Sequence, residues 1–263
     1  MSHGDAELLV EAKGDVLRLL LNRPAKGNAL SRSLVDALQV ALDAAHDSPP
    51  RMVVVEGAAA SFCTGFDLSD LDSETDDTLL ARFVRVQLML GALSSLPCPT
   101  LALARGNVMG AGADLFAACT RRWVVGQTRF AFPGAGFGLV LGTARLAALV
   151  GTGVAQEWVC SGARIDAHAA MAAGLAEKQL DDEAHVQAEL SRVCATMGRL
   201  DEVTHRAIHS AAGGVRYGLE RADDLARLVS SAARPGLKER IMAYRAASRE
   251  ASRGAVREAS GAT

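Results

Sequence analysis

The sequence predicts an α/β core of repeated strand–turn–helix units followed by a helical extension. Three observations carry that prediction. Strand and helix patterns alternate through the first half of the 263 residues, and two buried strands end in glycine turns that open toward helices. From Thr143 onward the periodicity is overwhelmingly helical. The expected division is residues 1–195 for the core and 196–263 for a C-terminal helical region.

In order, Leu8–Glu11 and Val16–Leu21 flank Ala12-Lys13-Gly14-Asp15 and predict a β-hairpin. Asn22–Asn28 is a loop by composition. Ser31 or Ser33 caps a helix reaching about His46, in which Leu34, Leu38 and Leu42 repeat every four residues. Pro49-Pro50 stops it, and Met52–Glu56 is a buried strand. The acidic, serine-rich stretch Ser69–Thr78 predicts an exposed, mobile loop. A helix over Leu79–Leu96, a strand over Thr100–Ala104 and a small-residue helix over Ala111–Ala118 follow. Short strands are expected at Arg122–Val125 and Arg129–Ala131. The helical patterns then cover Thr143–Val150, Ala155–Cys160, Ala167–Ala173, His185–Thr196, Leu200–Ala211, Tyr217–Ser231 and Pro235–Ala251. Brief extended pieces interrupt them at Gly162–Ile165 and Leu175–Lys178. Beyond Ala251 the small, polar composition predicts fraying.

Composition narrows the function classes. With 49% hydrophobic and 22% charged residues the chain can bury a full core, and a net charge of −2 gives no drive toward nucleic acid or an anionic membrane. The five cysteines are scattered without a C-x-x-C pair, so neither a zinc ribbon nor a disulfide framework is indicated, and no metal is expected. Met1–Asp5 lacks the pattern of a secretory leader, and no apolar run has the length of a membrane span. A cytoplasmic protein is the expectation.

Two stretches carry the chemistry: Phe62-Cys63-Thr64-Gly65-Phe66-Asp67-Leu68 and Gly106–Asp114. Gly65 and Gly110 supply the freedom for a sharp turn after a strand. The next residues, Phe66 and Ala111, can then turn their N–H groups into a cavity, where paired donors stabilise a developing oxyanion. The start of a helix at Ala111 adds a favourable dipole. Either stretch alone reads more readily as an ordinary strand–helix turn; together, each after a buried strand, they form a candidate oxyanion site.

These stretches, with Asn22-Arg23-Pro24 through Asn28-Ala29-Leu30, resemble the signature motifs of the crotonase (enoyl-CoA hydratase/isomerase) superfamily. The similarity continues through Leu141–Leu146, Ser161–Ile165, Ala173–Ala176 and Gly236–Glu239. It implies a spiral of β-β-α units with a helical region that assembles as a homotrimer or a hexamer of two trimers. It also implies an acyl-CoA thioester as ligand, with coenzyme A part of the substrate and no separate cofactor. The thioester carbonyl would lie on the N–H groups of Phe66 and Ala111. Arg23, Lys26, Ala29, Thr64, Asp67 and Leu68 would line the coenzyme A arm, with Lys26 or Arg23 facing a phosphate.

By the same resemblance, Asp114 occupies the place of the first of two catalytic glutamates, one methylene shorter. Gly134, directly after Pro133, falls where the second acid is expected, and glycine has nothing to donate. Two-carboxylate hydration cannot run unchanged. The leading expectation is therefore a hydratase-like lyase with Asp114 as sole acid–base group. The alternatives are a CoA-thioester decarboxylase or isomerase, and an acyl-CoA-binding homologue without chemistry. Asp70, Asp72 or Glu74 could reach in from the loop as substitutes.

Other constellations point elsewhere. His205 and His209 read as surface residues, Cys63 and Cys119 as core fillers, and Trp123 and Trp158 as packing.

Overall fold

The predicted hairpin forms from β1 (Leu8–Lys13) and β2 (Val16–Leu21), joined through Gly14 at a φ of +58°. The computed structural model describes residues 6–214 and 217–261. Met1–Asp5, on which the expected lack of a leader rests, lie outside the described residues. β2 pairs in parallel with β3 (Met52–Gly57), β3 with β4 (Thr100–Met109), and β4 with β5 (Arg121–Ala131). β5 also takes two short partners, β6 (Ile165–Asp166) antiparallel and β7 (Lys178–Leu180) parallel. Parallel neighbours need crossovers, and α1 (Arg32–Asp47), α2 (Asp76–Ser94) and α3 (Ala111–Ala117) lie within them. β3 is buried along its whole length, which is why Met52–Val55 reads as an unbroken apolar run.

The first two crossovers also contribute short extended pieces. Leu30 bridges Phe66 and Cys63 bridges Val108, both in parallel. The Leu30 N–H donates to the Gly65 carbonyl at 2.8 Å, and the Met109 N–H to the Cys63 carbonyl at 2.9 Å. This second layer holds the two glycine turns against each other.

α1 begins at Ser31 rather than Ser33, because the Ser31 hydroxyl accepts the Leu34 N–H at 3.0 Å. Its Leu34, Leu38 and Leu42 are buried against the sheet, each contributing roughly 2 kcal/mol. Phe62, Phe116 and Phe130 fill the centre of the same core, with ring centroids 6.1 and 5.0 Å apart along the series. On the other face of the sheet, Met52, Leu101 and Trp123 meet Val186 and Val193 of α7 (Glu183–Met197).

Several elements depart from the sequence expectation. β4 continues to Met109 through a bulge at Gly106, whose positive φ and position 1.9 Å from the Ala60 carbonyl oxygen (measured from an added Cβ) admit only glycine. β5 is one strand bent at Gly126, where two were expected. Ser69–Thr78 is not a free loop. Leu71–Ser73 forms a 3₁₀ turn, α2 starts at Asp76 behind a Thr75–Thr78 capping box, and Glu74 is 4% exposed. The Glu74 carboxylate accepts from Arg32 and Arg82 at 2.7 Å each. α10 (Leu237–Gly261) extends well past Ala251, where composition predicts fraying.

The remaining helices are α4 (Thr143–Val150), α5 (Thr152–Ser161), α6 (Ala167–Ala172), α8 (Glu202–His209) and α9 (Tyr217–Ala232). α8 docks through polar groups: His209 lies 3.0 Å from the Leu96 carbonyl, so that histidine is not a free surface residue. α9 packs on α2, burying Leu228 and Ala232 beside Leu79, Phe83 and Leu139. Asp76 then fixes the start of α10 by accepting the N–H groups of Gly236, Leu237 and Lys238 at 2.8, 3.1 and 2.8 Å. α10 is thereby folded back toward the glycine turns, where Tyr244 and Arg245 line the same cavity as Gly65 and Gly110.

Candidate active site

The glycine turns meet beneath α10. Gly65 has a φ of +93° and Gly110 a φ of +52°, both in the region that side chains disfavour. Space demands glycine at 65 as well: an added Cβ would lie 2.6 Å from the Met109 carbonyl oxygen and 3.4 Å from the Ala111 nitrogen. Among the described residues, neither the Phe66 nor the Ala111 N–H donates to any acceptor. Both residues line a cavity of about 140 Å³, together with Thr64, Asp114, Gly134 and Tyr244. The Phe66 ring stacks on Phe83 with centroids 4.2 Å apart, and the Arg82 guanidinium sits 4.1 Å over it. Two unpaired donors in an apolar cavity can receive an anionic oxygen.

Asp114 reaches the cavity from the first turn of α3. It is 4% exposed, and its Oδ1 has no hydrogen-bond partner among the described residues. Burial pushes its carboxyl up to about 7, while the Arg145 guanidinium pulls it down and the Asp224 carboxylate pushes it up. A carboxyl poised there can take or give a proton near neutral pH. Gly142 makes room for it: a Cβ at 142 would lie 1.9 Å from Asp114 Oδ1.

Gly134 lines the same cavity. A Cβ there would meet its nearest neighbours, the Leu139 carbonyl oxygen and Cβ, at 3.4 and 3.9 Å, so space does not demand glycine. The expected second acid is simply not encoded. Glu74 cannot replace it, since burial works against its charge but hydrogen bonds from Thr78, Arg32 and Arg82 hold it ionised below the ordinary carboxylate range. Asp70 and Asp72 are not among the lining residues.

The loop expected to follow a coenzyme A arm divides in two. Arg23 is consumed internally: it pairs with Glu7 at 2.7 Å and Asp67 at 2.8 Å, and also donates to the Ala29 carbonyl. Asp67 further accepts the Ser69 N–H at 2.9 Å, and the Arg23 and Ser69 contacts outweigh burial to lower its pKa. These three residues shape the loop and leave no free charge. Lys26 is exposed, with only a 3.5 Å contact to the Ser69 hydroxyl, so it alone of the two cations is free for a phosphate. Thr64 and Leu68 line the cavity itself. Cys63 and Cys119 are buried and their thiols pushed up to about 12 by burial, in keeping with core packing. Tyr244 and Arg245 of α10 also line the cavity and were not predicted as site residues; no local motif places α10 beside it.

The enoyl-CoA hydratase/isomerase family profile matches residues 16–257. The chain belongs to that family. Among its relatives, a 2,3-dehydroadipyl-CoA hydratase of Escherichia coli is 35% identical over 174 residues, covering 65% of this chain and 68% of the relative. An enoyl-CoA hydratase domain-containing protein 3 of Danio rerio is 28% identical over 204 residues, covering 73% and 71%. Among solved structures, an enoyl-CoA hydratase/isomerase of Xanthobacter autotrophicus superposes with a TM-score of 0.81 at 25% identity, over 95% of this chain and 96% of that one. A Bordetella parapertussis protein placed in the same group gives 0.86 at 37%, over 91% and 98%. The α/β architecture is thus that of the crotonase superfamily. Among the described residues no helix is long and apolar enough to cross a membrane, and no cluster of ligating side chains could hold a metal ion.

Proposed function

We propose that this family member is a hydratase-like lyase of enoyl-CoA thioesters, working through one carboxyl group. The observation that carries the reading is the placement of Asp114 in the same cavity as the unpaired N–H groups of Phe66 and Ala111. The thioester carbonyl accepts from those two donors, which stabilise the enolate as charge moves onto its oxygen. Ionised Asp114 takes a proton from water as the hydroxyl adds to the β-carbon. The same carboxyl then returns that proton to the α-carbon, so one group serves both half-steps. Lys26 meets a coenzyme A phosphate while Thr64 and Leu68 border the pantetheine arm.

Decarboxylation of a malonyl-type thioester is the second reading, favoured by the empty position at Gly134. There the bond to the carboxylate breaks, CO₂ leaves, and the enolate takes its proton from neutral Asp114. The two readings predict opposite pH limbs. Hydration starts from the carboxylate and rises through a pH of about 7, whereas decarboxylation starts from the acid and falls through it. Loss of the enoyl absorbance of crotonyl-CoA, abolished in Asp114→Ala, is expected for the lyase. Release of CO₂ from malonyl-CoA with no loss of enoyl absorbance would replace it with the decarboxylase, and acyl-CoA binding without turnover of either would leave a binding protein.

A further inference from the structure

The cavity that holds Asp114 carries one other charge. Among the described residues that line it, Arg245 is the sole cation and Asp114 the sole acid, and Phe132, Leu139, Leu141 and Val159 keep much of the wall apolar. Arg245 reaches that wall because the rotation of α10 is fixed. Leu237 and Ile241 are fully buried on its inward face, and Tyr244 and Arg245 follow Ile241 by one turn on that face. Arg240 Nε donates to the Phe137 carbonyl at 3.0 Å, and the Tyr244 ring meets Phe137 with centroids 5.5 Å apart. Gly136 leaves room for the ring: an added Cβ would lie 2.6 Å from Tyr244 Cε2.

The Arg245 guanidinium has little to bind within the chain. Its Nη1 donates to the Leu68 carbonyl at 3.2 Å, and among the described residues it makes no other hydrogen bond and no ion pair. Arg82, which sits over the Phe66 ring, is by contrast neutralised by Glu74. A half-buried cation on an apolar wall lacks the opposite charge that such groups are kept near. Its planar donors match a carboxylate with two parallel bonds.

The position of Arg245 decides which anion it meets. With a thioester carbonyl on the N–H groups of Phe66 and Ala111, any group touching Arg245 in the same cavity of about 140 Å³ lies close to the acyl chain. The coenzyme A phosphates lie beyond the whole pantetheine arm, toward Lys26, which is not part of the lining. A carboxylate that departs as CO₂ does not suit the site either, because an ion pair would stabilise it in the ground state.

We propose that Arg245 is a specificity residue for acyl chains that end in a carboxylate, which makes the substrates mono-CoA thioesters of dicarboxylic 2-enoic acids. The inference rests on the lyase reading of the site and narrows its substrate class.

The test compares hex-2-enedioyl-CoA, with a free carboxylate at its far end, with neutral hex-2-enoyl-CoA on the full-length protein. Calorimetry with their saturated forms, adipyl-CoA and hexanoyl-CoA, measures binding without chemistry. Both kcat/KM and affinity should favour the carboxylate by about ten- to hundredfold, the effect of a hydrogen bond between charged groups. In Arg245→Gln both ratios should fall toward one, and Arg245→Lys should restore part of them, since a point charge replaces the fork. No preference in the parent, or an unmoved preference in folded Arg245→Gln, overturns the inference. Equal weakening of both saturated thioesters and of free coenzyme A would assign the guanidinium to a phosphate and overturn it as well. If Arg245→Gln does not fold, the parent's preference and its decline with added salt decide alone. Tighter binding of adipyl-CoA without turnover of either enoyl-CoA upholds the carboxylate site while removing the lyase, and equal turnover of both does the reverse.

Discussion

Asp114 carries a raised proton affinity into the folded state, and linkage converts this into a stability signature. Its ordinary pKa is 3.8 and burial raises it to about 7. Between those values the folded chain holds a proton that the unfolded chain has released, so stability falls as pH rises through the window. Asp114→Asn removes the titration. At pH 8 the variant should be more stable than the parent by about 2–4 kcal/mol, and near pH 4 the two should agree. Urea unfolding at both pH values measures it, and an equal difference at the two would mean that Asp114 ionises without penalty. At this scale the motifs name Asp114, Phe66 and Ala111, and the structure gathers all three around one cavity. It was not legible at Arg23, because the partners that occupy its guanidinium, Glu7 and Asp67, lie on different segments.

Elements set how closely those residues approach. α4 begins at Gly142, which has a φ of +67° and leaves the space that Asp114 fills. Gly142→Ala should therefore suffer twice: a left-handed backbone disfavoured by roughly 1 kcal/mol, and a Cβ that displaces the carboxyl. A double-mutant cycle separates the two. With Asp114→Ala in place, Gly142→Ala should lose only the backbone part, a coupling of about 1–2 kcal/mol in unfolding measurements. Strict additivity would mean that the close approach is relieved some other way. Periodicity found nearly every helix, yet Ser69–Thr78 was misread because its polar residues serve buried partners rather than solvent. Glu74 is acidic in sequence and internal in structure, since Arg32 and Arg82 converge on it from α1 and α2. Composition records polarity but not whether a partner waits across the fold.

For the whole molecule, the question is what the helical extension does beyond covering the cavity. α9 and α10 pack on their own chain's α2, and α10 delivers Tyr244 to the cavity wall. α8 is different: Arg206 and His209 face inward to the Pro49 and Leu96 carbonyls, while Val203 is 79% and Ile208 54% exposed. Exposed β-branched residues on a helix held by polar contacts suit burial against another copy. Sedimentation equilibrium should therefore give more than one chain per particle, and Val203→Asp with Ile208→Asp should shift it toward one. Because Asp114 is buried by residues of its own chain, that monomer should keep the Asp114 titration midpoint. A parent protein that sediments as a single chain at micromolar concentration would refute the assembly. A dissociated variant whose Asp114 midpoint moves would instead show that the neighbouring copy helps to bury the acid.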